Sequence, residues 1–210
     1  GSRYGWEGSD LSRPLAIIIP VYNEAENIRA TLGAIEEKVR TLHTIYIVYD
    51  FEEDNTLPAA RELAAGGMPI EFISNPSRGV ASAIKTGLRE AKGEYLLVTM
   101  ADMSDDYTVV DRMCELMGQG YDLVCGSRYM KGGRQVGGPL VKRTISRLAG
   151  LSLRMLTRLP THDVTNSFKL YRKSMVDKLT LESDGGFEIG MELVVKAHFG
   201  GYKVTEAPCT

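Results

Sequence analysis

The sequence predicts an α/β domain, a mostly parallel sheet with helices on both faces. Three observations carry that prediction. Short apolar runs alternate with stretches of helical periodicity. The runs are continuously apolar rather than alternating, as strands covered on both faces are. A chain of 210 residues, 43% hydrophobic and 25% charged, is enough for one such domain with a sizeable core.

The elements follow in order. LAIIIPVY (15–22) reads as a buried strand. NEAENIRATLGAIEEKVRTL follows, with Ile28, Leu32, Ile35, Val39 and Leu42 at helical spacing. Asn23 and Glu26 stand three apart, as in a capping box. TIYIVYD (44–50) and PIEFIS (69–74) are the second and third strands, and GVASAIKTGLREAKG (79–93) is a helix on Val80, Ile84, Leu88 and Ala91. EYLLVTM (94–100) is the fourth strand. A helix bearing Val109, Val110, Met113, Leu116 and Met117 then leads to the fifth, YDLVCGS (121–127).

Beyond that point the rhythm changes. A glycine-rich loop, MKGGRQVGGPL (130–140), precedes a long basic helix and the strand-like TNSFKLYR (165–172). The helix FEIGMELVVKAHF (187–199) and the strand YKVTEAP (202–208) complete the chain. There is no internal repeat and no linker, so 15–210 is expected to form one domain, with halves at 15–126 and 127–210. Residues 1–14 are expected to be disordered or left from expression, and the strand-like end predicts a domain cut short there.

Composition removes several function classes. A net charge of −2 argues against nucleic-acid binding through the bulk field of the molecule. Cys114, Cys125 and Cys209 form no CxxC pair, and three scattered histidines give no zinc spacing. That cysteine pattern fits a reducing compartment. No apolar run approaches the ~18 to 20 residues that span a bilayer.

Parallel sheets bind ligands at the C-terminal ends of their strands. Asn23 and Glu24 follow the first strand, Asp50 the second, Asn75 the third, Asp102 the fourth and Arg128 the fifth. Five polar strand ends along one edge predict a cleft. No GxGxxG follows the first strand and no GxxxxGK[ST] occurs, so a nucleotide held there is gripped by side chains.

PVYNEAENI, the acidic turn after strand two, NPSRGVASAIKTGLREAKGEYLLV, ADMSDD, GSRYMKGG, RTISR, DVTNSFKLYR and FEIGMELVVKAHFGGYKVTEAP occur in that order. Together they resemble a family 2 inverting glycosyltransferase of the Rossmann-like GT-A fold, of the kind that makes polyprenyl- or dolichyl-phosphate sugars. The resemblance runs from about Leu15 to Pro208. It implies a nucleotide-binding half (15–126) and an acceptor-binding half (127–210).

In that family the residues after strand one and the acid after strand two hold the nucleoside. This carries to Pro20, Tyr22, Glu24 and Asp50. A carboxylate accepts hydrogen bonds from ribose hydroxyls or base N–H groups, and an aromatic ring packs beside the base. The family's DDGSTDGT turn is YDFEEDNT (49–56) here. Asp50, Asp54 and Thr56 stand in place, Tyr49 replaces the first Asp, and the extra acids either repel phosphates or face solvent.

Strand four of the family ends in DAD, whose second carboxylate binds Mg²⁺ or Mn²⁺. Here the three are Met100, Ala101 and Asp102, with Ser104 at a further oxygen-ligand position. A thioether is a poor partner for such hard ions. The expectation is a reduced Mg²⁺ or Mn²⁺ site on Asp102 and Ser104, with Met100 in the wall. Asp105 and Asp106 either cap the next helix or lend an oxygen to the metal.

A lipid monophosphate acceptor is already ionised near pH 7 and needs no general base. It needs positive charge to approach a second anion. Arg128, Arg143 and Arg147 are the candidates, with Lys131 and Arg134 in the glycine-rich loop. Asp102 and these three arginines form the expected catalytic set, and Arg128 also serves the nucleotide side.

Asp163 begins the acceptor-side motif, where Asn166 and Ser167 replace the family's Ser-Gly. Glu192 is either a buried supporting acid or a surface one. In VKRTISRLAGLSLRMLTRLPTH, Arg143, Arg147, Arg154 and Arg158 share one helical face, either solvated or laid on an anionic membrane.

The resulting expectation is transfer of a sugar from a nucleotide-diphosphate sugar to a polyprenyl phosphate at the cytoplasmic face of a membrane. One alternative acceptor is a glycan hydroxyl, with Asp163 or Asp105 as base. The other alternative is a catalytically weak domain that binds nucleotide or lipid.

Overall fold

The computed structural model describes residues 14–133 and 160–210. Strand β1 (Leu15–Pro20) is buried along its whole length. Ile17 and Ile19 enter the core on one side of the sheet, Ala16 and Ile18 the core on the other. That double burial is why the strand reads as a continuous apolar run.

Helices α1 (Ile28–Lys38), α2 (Thr56–Ala65) and α4 (Val110–Gly118) supply Leu32, Leu57 and Met113 to the first core. Helices α3 (Val80–Glu90) and α6 (Gly186–Phe199) supply Ile84 and Leu193 to the second. A single turn, α5 (Lys173–Val176), precedes α6. Helix α3 lies very close to the sheet at Gly87. A Cβ there would stand 2.4 Å from Ile18 Cγ2, so the position requires glycine.

The remaining strands are β2 (His43–Tyr49), β3 (Ile70–Ser74), β4 (Tyr95–Val98), β5 (Leu123–Ser127), β6 (Lys169–Arg172) and β7 (Val204–Pro208). Their order is β3-β2-β1-β4-β6-β5-β7, so strands from both halves of the chain share one sheet. All pairings are parallel except those of β6, which runs antiparallel to both β4 and β5. Arg172 anchors this inserted strand, with Nε 3.3 Å from Asp122 and Nη1 2.8 Å from Glu94. The connections from β1 and β4 lead to opposite ends of the sheet, which opens a crevice between the two strand ends.

The capping box on Asn23 is not formed. Helix α1 begins at Ile28, and Asn23 has φ +54°. The start of α2, far along the chain, binds this loop instead. Asn23 N–H donates to Asp54 (3.0 Å), Glu24 N–H to the Thr56 hydroxyl (2.8 Å) and Ala25 N–H to Asn55 Oδ1 (3.1 Å). Long-range partners therefore displace the local cap. Leu42 also departs from expectation, because the helix ends at Lys38 and leaves Leu42 exposed.

Helix α2 is an element the periodicity reading passed over. The Asp54 carboxylate accepts from Thr56 N–H at its start, and Pro58 sits in its first turn, where a missing N–H costs nothing.

Candidate active site

The crevice is built from the loops that follow β1, β2, β3 and β4. After β2, Asp50 is fixed by two donors, Asn75 Nδ2 at 2.7 Å and Gly79 N–H at 2.8 Å. Asn75 is itself buried, with Oδ1 accepting from the hydroxyls of Ser82 (2.8 Å) and Thr86 (3.2 Å). Its expected place at the cleft edge is therefore a place behind the cleft, where it orients Asp50. Gly79 has φ +105°, so the turn that presents its N–H is one that favours glycine.

Pro20, Tyr22, Glu24 and Asp50 line one pocket of about 500 Å³ with Phe51, Arg78, Val80 and Met100. Tyr22, 67% exposed, meets Phe51 edge to face at 5.7 Å between centroids. Arg78 makes no ion pair among the described residues. Sequence reasoning missed Phe51 and Arg78. An aromatic inside an otherwise acidic turn, and a cation in the loop after the third strand, were the available signals.

Two other acids of this turn, Asp54 and Glu52, are tied to the protein. Asp54 is buried in the loop it ties, and Glu52 bonds Tyr49 (2.6 Å) and Arg61 (2.7 Å). The hydrogen bonds from Tyr49 and then Arg61 hold the Glu52 carboxyl below its ordinary range.

At the end of β4, Met100 is part of the wall. Asp102 is exposed, and its Oδ1 accepts the Ser104 N–H at 3.0 Å around a turn in which Met103 has φ +59°. A carboxylate and a hydroxyl on one exposed turn offer the oxygen chemistry a hard divalent ion prefers. Among the described residues, no group of three or more His, Cys, Asp or Glu side chains is arranged for a metal.

Of the two roles open to Asp105 and Asp106, capping falls to Asp106, and Asp105 takes neither. Asp106 caps the short 3-10 helix at Tyr107–Val109 by accepting from Thr108 N–H. Asp105 turns inward to the Thr99 hydroxyl (2.6 Å). Burial pushes its carboxyl up to about 6 against the pull of that hydrogen bond.

Arg128 and Asp163, expected on different sides of the reaction, form one unit. Arg128 Nε and Nη2 donate to Asp163 Oδ2 and Oδ1 at 2.7 and 2.9 Å, and Arg128 N–H adds a third bond at 3.2 Å. The Asp163 side chain has no exposed surface, whereas Arg128 keeps 27%. This pairing raises the Arg128 pKa further. A carboxylate so enclosed orients Arg128 and has no edge left for an acceptor.

The turn beyond it is tied by Asn166 Nδ2 to Gly126 O (2.9 Å) and by buried Lys169, whose ammonium donates to the Val164 (3.1 Å) and Asn166 carbonyls. Lys131 is exposed. Arg134, Arg143, Arg147, Arg154 and Arg158 lie outside the described residues. Glu192 is nearly buried and structural, accepting from the N–H groups of Glu182 and Ser183.

The sequence pattern of the family described as Glycosyl transferase family 2 matches residues 16–180. A dolichol-phosphate mannosyltransferase of Pyrococcus furiosus is 32% identical over 202 residues, covering 93% of this chain and 56% of that protein. The chain thus spans little more than half of that relative. A polyprenol monophosphomannose synthase of Mycolicibacterium smegmatis is 30% identical over 92% of this chain and 76% of its own length. Among solved structures, glucosyl-3-phosphoglycerate synthase of Mycobacterium tuberculosis, in complex with Mn²⁺, UDP and glucosyl-3-phosphoglycerate, superposes with a TM-score of 0.69. It shares 16% identity, over 98% of this chain and 75% of that one, a likeness of fold.

Proposed function

The chain belongs to glycosyl transferase family 2, on a GT-A fold, and on that premise we propose that it transfers a sugar from a nucleotide-diphosphate sugar to a polyprenyl phosphate. The observation that carries this reading is the cleft of about 500 Å³ lined by the anchored Asp50, Tyr22, Phe51 and Arg78, adjoining Met100 at the end of β4. The two named relatives support the acceptor class.

In the transfer, a phosphate oxygen of the acceptor attacks the anomeric carbon from the face opposite the diphosphate. The bond from that carbon to the diphosphate oxygen breaks, its electron pair leaves with the nucleotide, and the configuration inverts. The acceptor oxygen carries no proton near pH 7, so no base is required. The enclosure of Asp163 by Arg128 supports this route, because it withdraws one candidate base from the cleft.

Arg128 and Lys131, with Arg134, Arg143 and Arg147 of the intervening sequence, supply positive charge between two anionic reactants. Asp102 and Ser104 would hold a divalent cation, which when bound neutralises charge on the departing diphosphate. Contact with an anionic membrane surface would bring the lipid to the cleft.

Calorimetry with UDP and GDP, with and without Mn²⁺, tests the donor side. Asp102→Ala is expected to abolish the divalent dependence, and Met100→Asp to strengthen it; an unchanged dependence in Asp102→Ala would sink the site. Incorporation of radiolabelled sugar into a short polyprenyl phosphate tests the acceptor side. Equal transfer to the neutral polyprenol would refute a base-free mechanism, since that oxygen must lose a proton.

A further inference from the structure

A second cavity, of about 230 Å³, opens beside the nucleotide cleft, between α3, α6 and the end of β4. Val80 and Met100 line both spaces. Its walls are Ile84, Ile189 and Met100, and its floor reaches Leu88 and Tyr171, which are almost fully buried. It is blind at that end. An apolar cavity of ~150 Å³ already takes a benzene-sized guest, so this one is large enough for a compact organic group.

The lining is mostly apolar; of its polar members, Thr99 has its hydroxyl committed to Asp105 (2.6 Å), Ser167 stands at one side, and Tyr171 lies at the floor. Tyr171 is 2% exposed, and among the described residues its hydroxyl makes no hydrogen bond. Burial raises its pKa well above the ordinary phenol value, so it is an O–H donor at any working pH. A Cβ on Gly190 would stand 3.6 Å from that hydroxyl, so the absence of a side chain there keeps the floor open. A ligand oxygen at that point would give the hydroxyl the partner it does not have among the described residues.

We infer that this cavity receives an acylamino substituent of the transferred sugar, its carbonyl oxygen accepting from Tyr171 and its alkyl group against Ile84, Ile189 and Met100. The inference rests on the reading of the adjoining cleft as a nucleotide-sugar site. A sugar hydroxyl alone would leave the mostly apolar walls of Ile84, Ile189 and Met100 without a partner. A deoxy-sugar methyl would fit the walls and leave the phenol unpaired. The first isoprene unit of a lipid acceptor fits poorly, because its chain must continue and this floor is closed. Met100 then has a purpose beyond filling space: a carboxylate at 100 would charge the wall against which the acyl group rests.

The test is calorimetry of the full-length protein with UDP and GDP, and with the hexose and 2-acetamido-2-deoxyhexose form of each nucleotide sugar. For the accepted base, the acetamido sugar is expected to bind about tenfold more tightly than the plain hexose, the worth of one hydrogen bond plus the buried alkyl group. Tyr171→Phe, which removes no described hydrogen bond, should reduce that preference severalfold. Gly190→Leu should fill the floor and abolish it. Affinity for the free nucleoside diphosphate should stay unchanged in both variants.

Equal or tighter binding of the plain hexose, with the free diphosphate still bound, overturns the inference and leaves the proposed function standing. Loss of geranyl phosphate binding in Gly190→Leu, with both nucleotide sugars unaffected, overturns it in favour of the lipid. No binding of either diphosphate sinks both readings.

Discussion

Asp163 accepts three bonds from Arg128 and a fourth from the Thr165 hydroxyl at 3.3 Å, so its carboxylate is committed inside the protein. Removing the charge while keeping the shape tests what that commitment is worth. Asp163→Asn leaves Arg128 half-buried without its counter-ion, and breaking such a pair costs about 3 kcal/mol. Urea denaturation should show the midpoint fall with the slope unchanged, and an unshifted midpoint would mean the pair adds nothing to stability. Each partner was legible as a site residue, but not their union. They lie 35 positions apart, and no periodicity links them. Asp50 was legible for the opposite reason: a polar residue ending a buried strand has few places to point. Arg78 and Phe51 were not read because the end of each preceding strand had already been assigned a polar residue.

At the scale of elements, hydrophobic pattern reported most of the strands and helices, though not α2, and not how their ends are tied or which way a strand runs. KLYR is apolar enough to be a strand, yet nothing in four residues specifies that β6 enters antiparallel between β4 and β5. Helix α1 began a turn later than its capping signature because the start of α2 supplied better partners to the loop. Helix α6 offers a measurable case of such tying. Burial alone would raise the Glu192 pKa. Lys196 at 2.7 Å and the N–H groups of Glu182 and Ser183 outweigh it and hold the carboxyl at about 2.

A carboxyl depressed in the folded state contributes its stability above the unfolded value and loses it as pH falls through the folded one. Here the window runs from the ordinary 4.5 down to about 2. Glu192→Gln should therefore lower stability by about 2 to 3 kcal/mol at pH 7. The gap to the unsubstituted protein should close across that window in urea titrations. A gap that persists unchanged at pH 2 would mean the loss comes from geometry and not from charge.

For the whole molecule, the proposed lipid acceptor sets a requirement on charge, because the net charge of the chain is −2. No described helix is long and apolar enough to cross a membrane. The stretch from Arg134 to Arg158 carries five arginines and Lys142 with no acidic residue, so the sequence concentrates positive charge in one segment against an acidic remainder. Basic residues near an anionic surface contribute about 1 kcal/mol each, within a Debye length that shrinks from about 10 Å at 0.1 M salt to about 3 Å at 1 M. Arg154→Ala and Arg158→Ala should each weaken sedimentation with vesicles containing anionic lipid by about fivefold at low salt, and the difference should vanish as salt rises. Arg143→Ala and Arg147→Ala should instead reduce sugar transfer while donor affinity holds, if their fork meets the acceptor phosphate. The two pairs thus separate attachment from chemistry. Equal sedimentation of all four variants, or binding that survives high salt and neutral lipid alike, would exclude an electrostatic docking role for this segment.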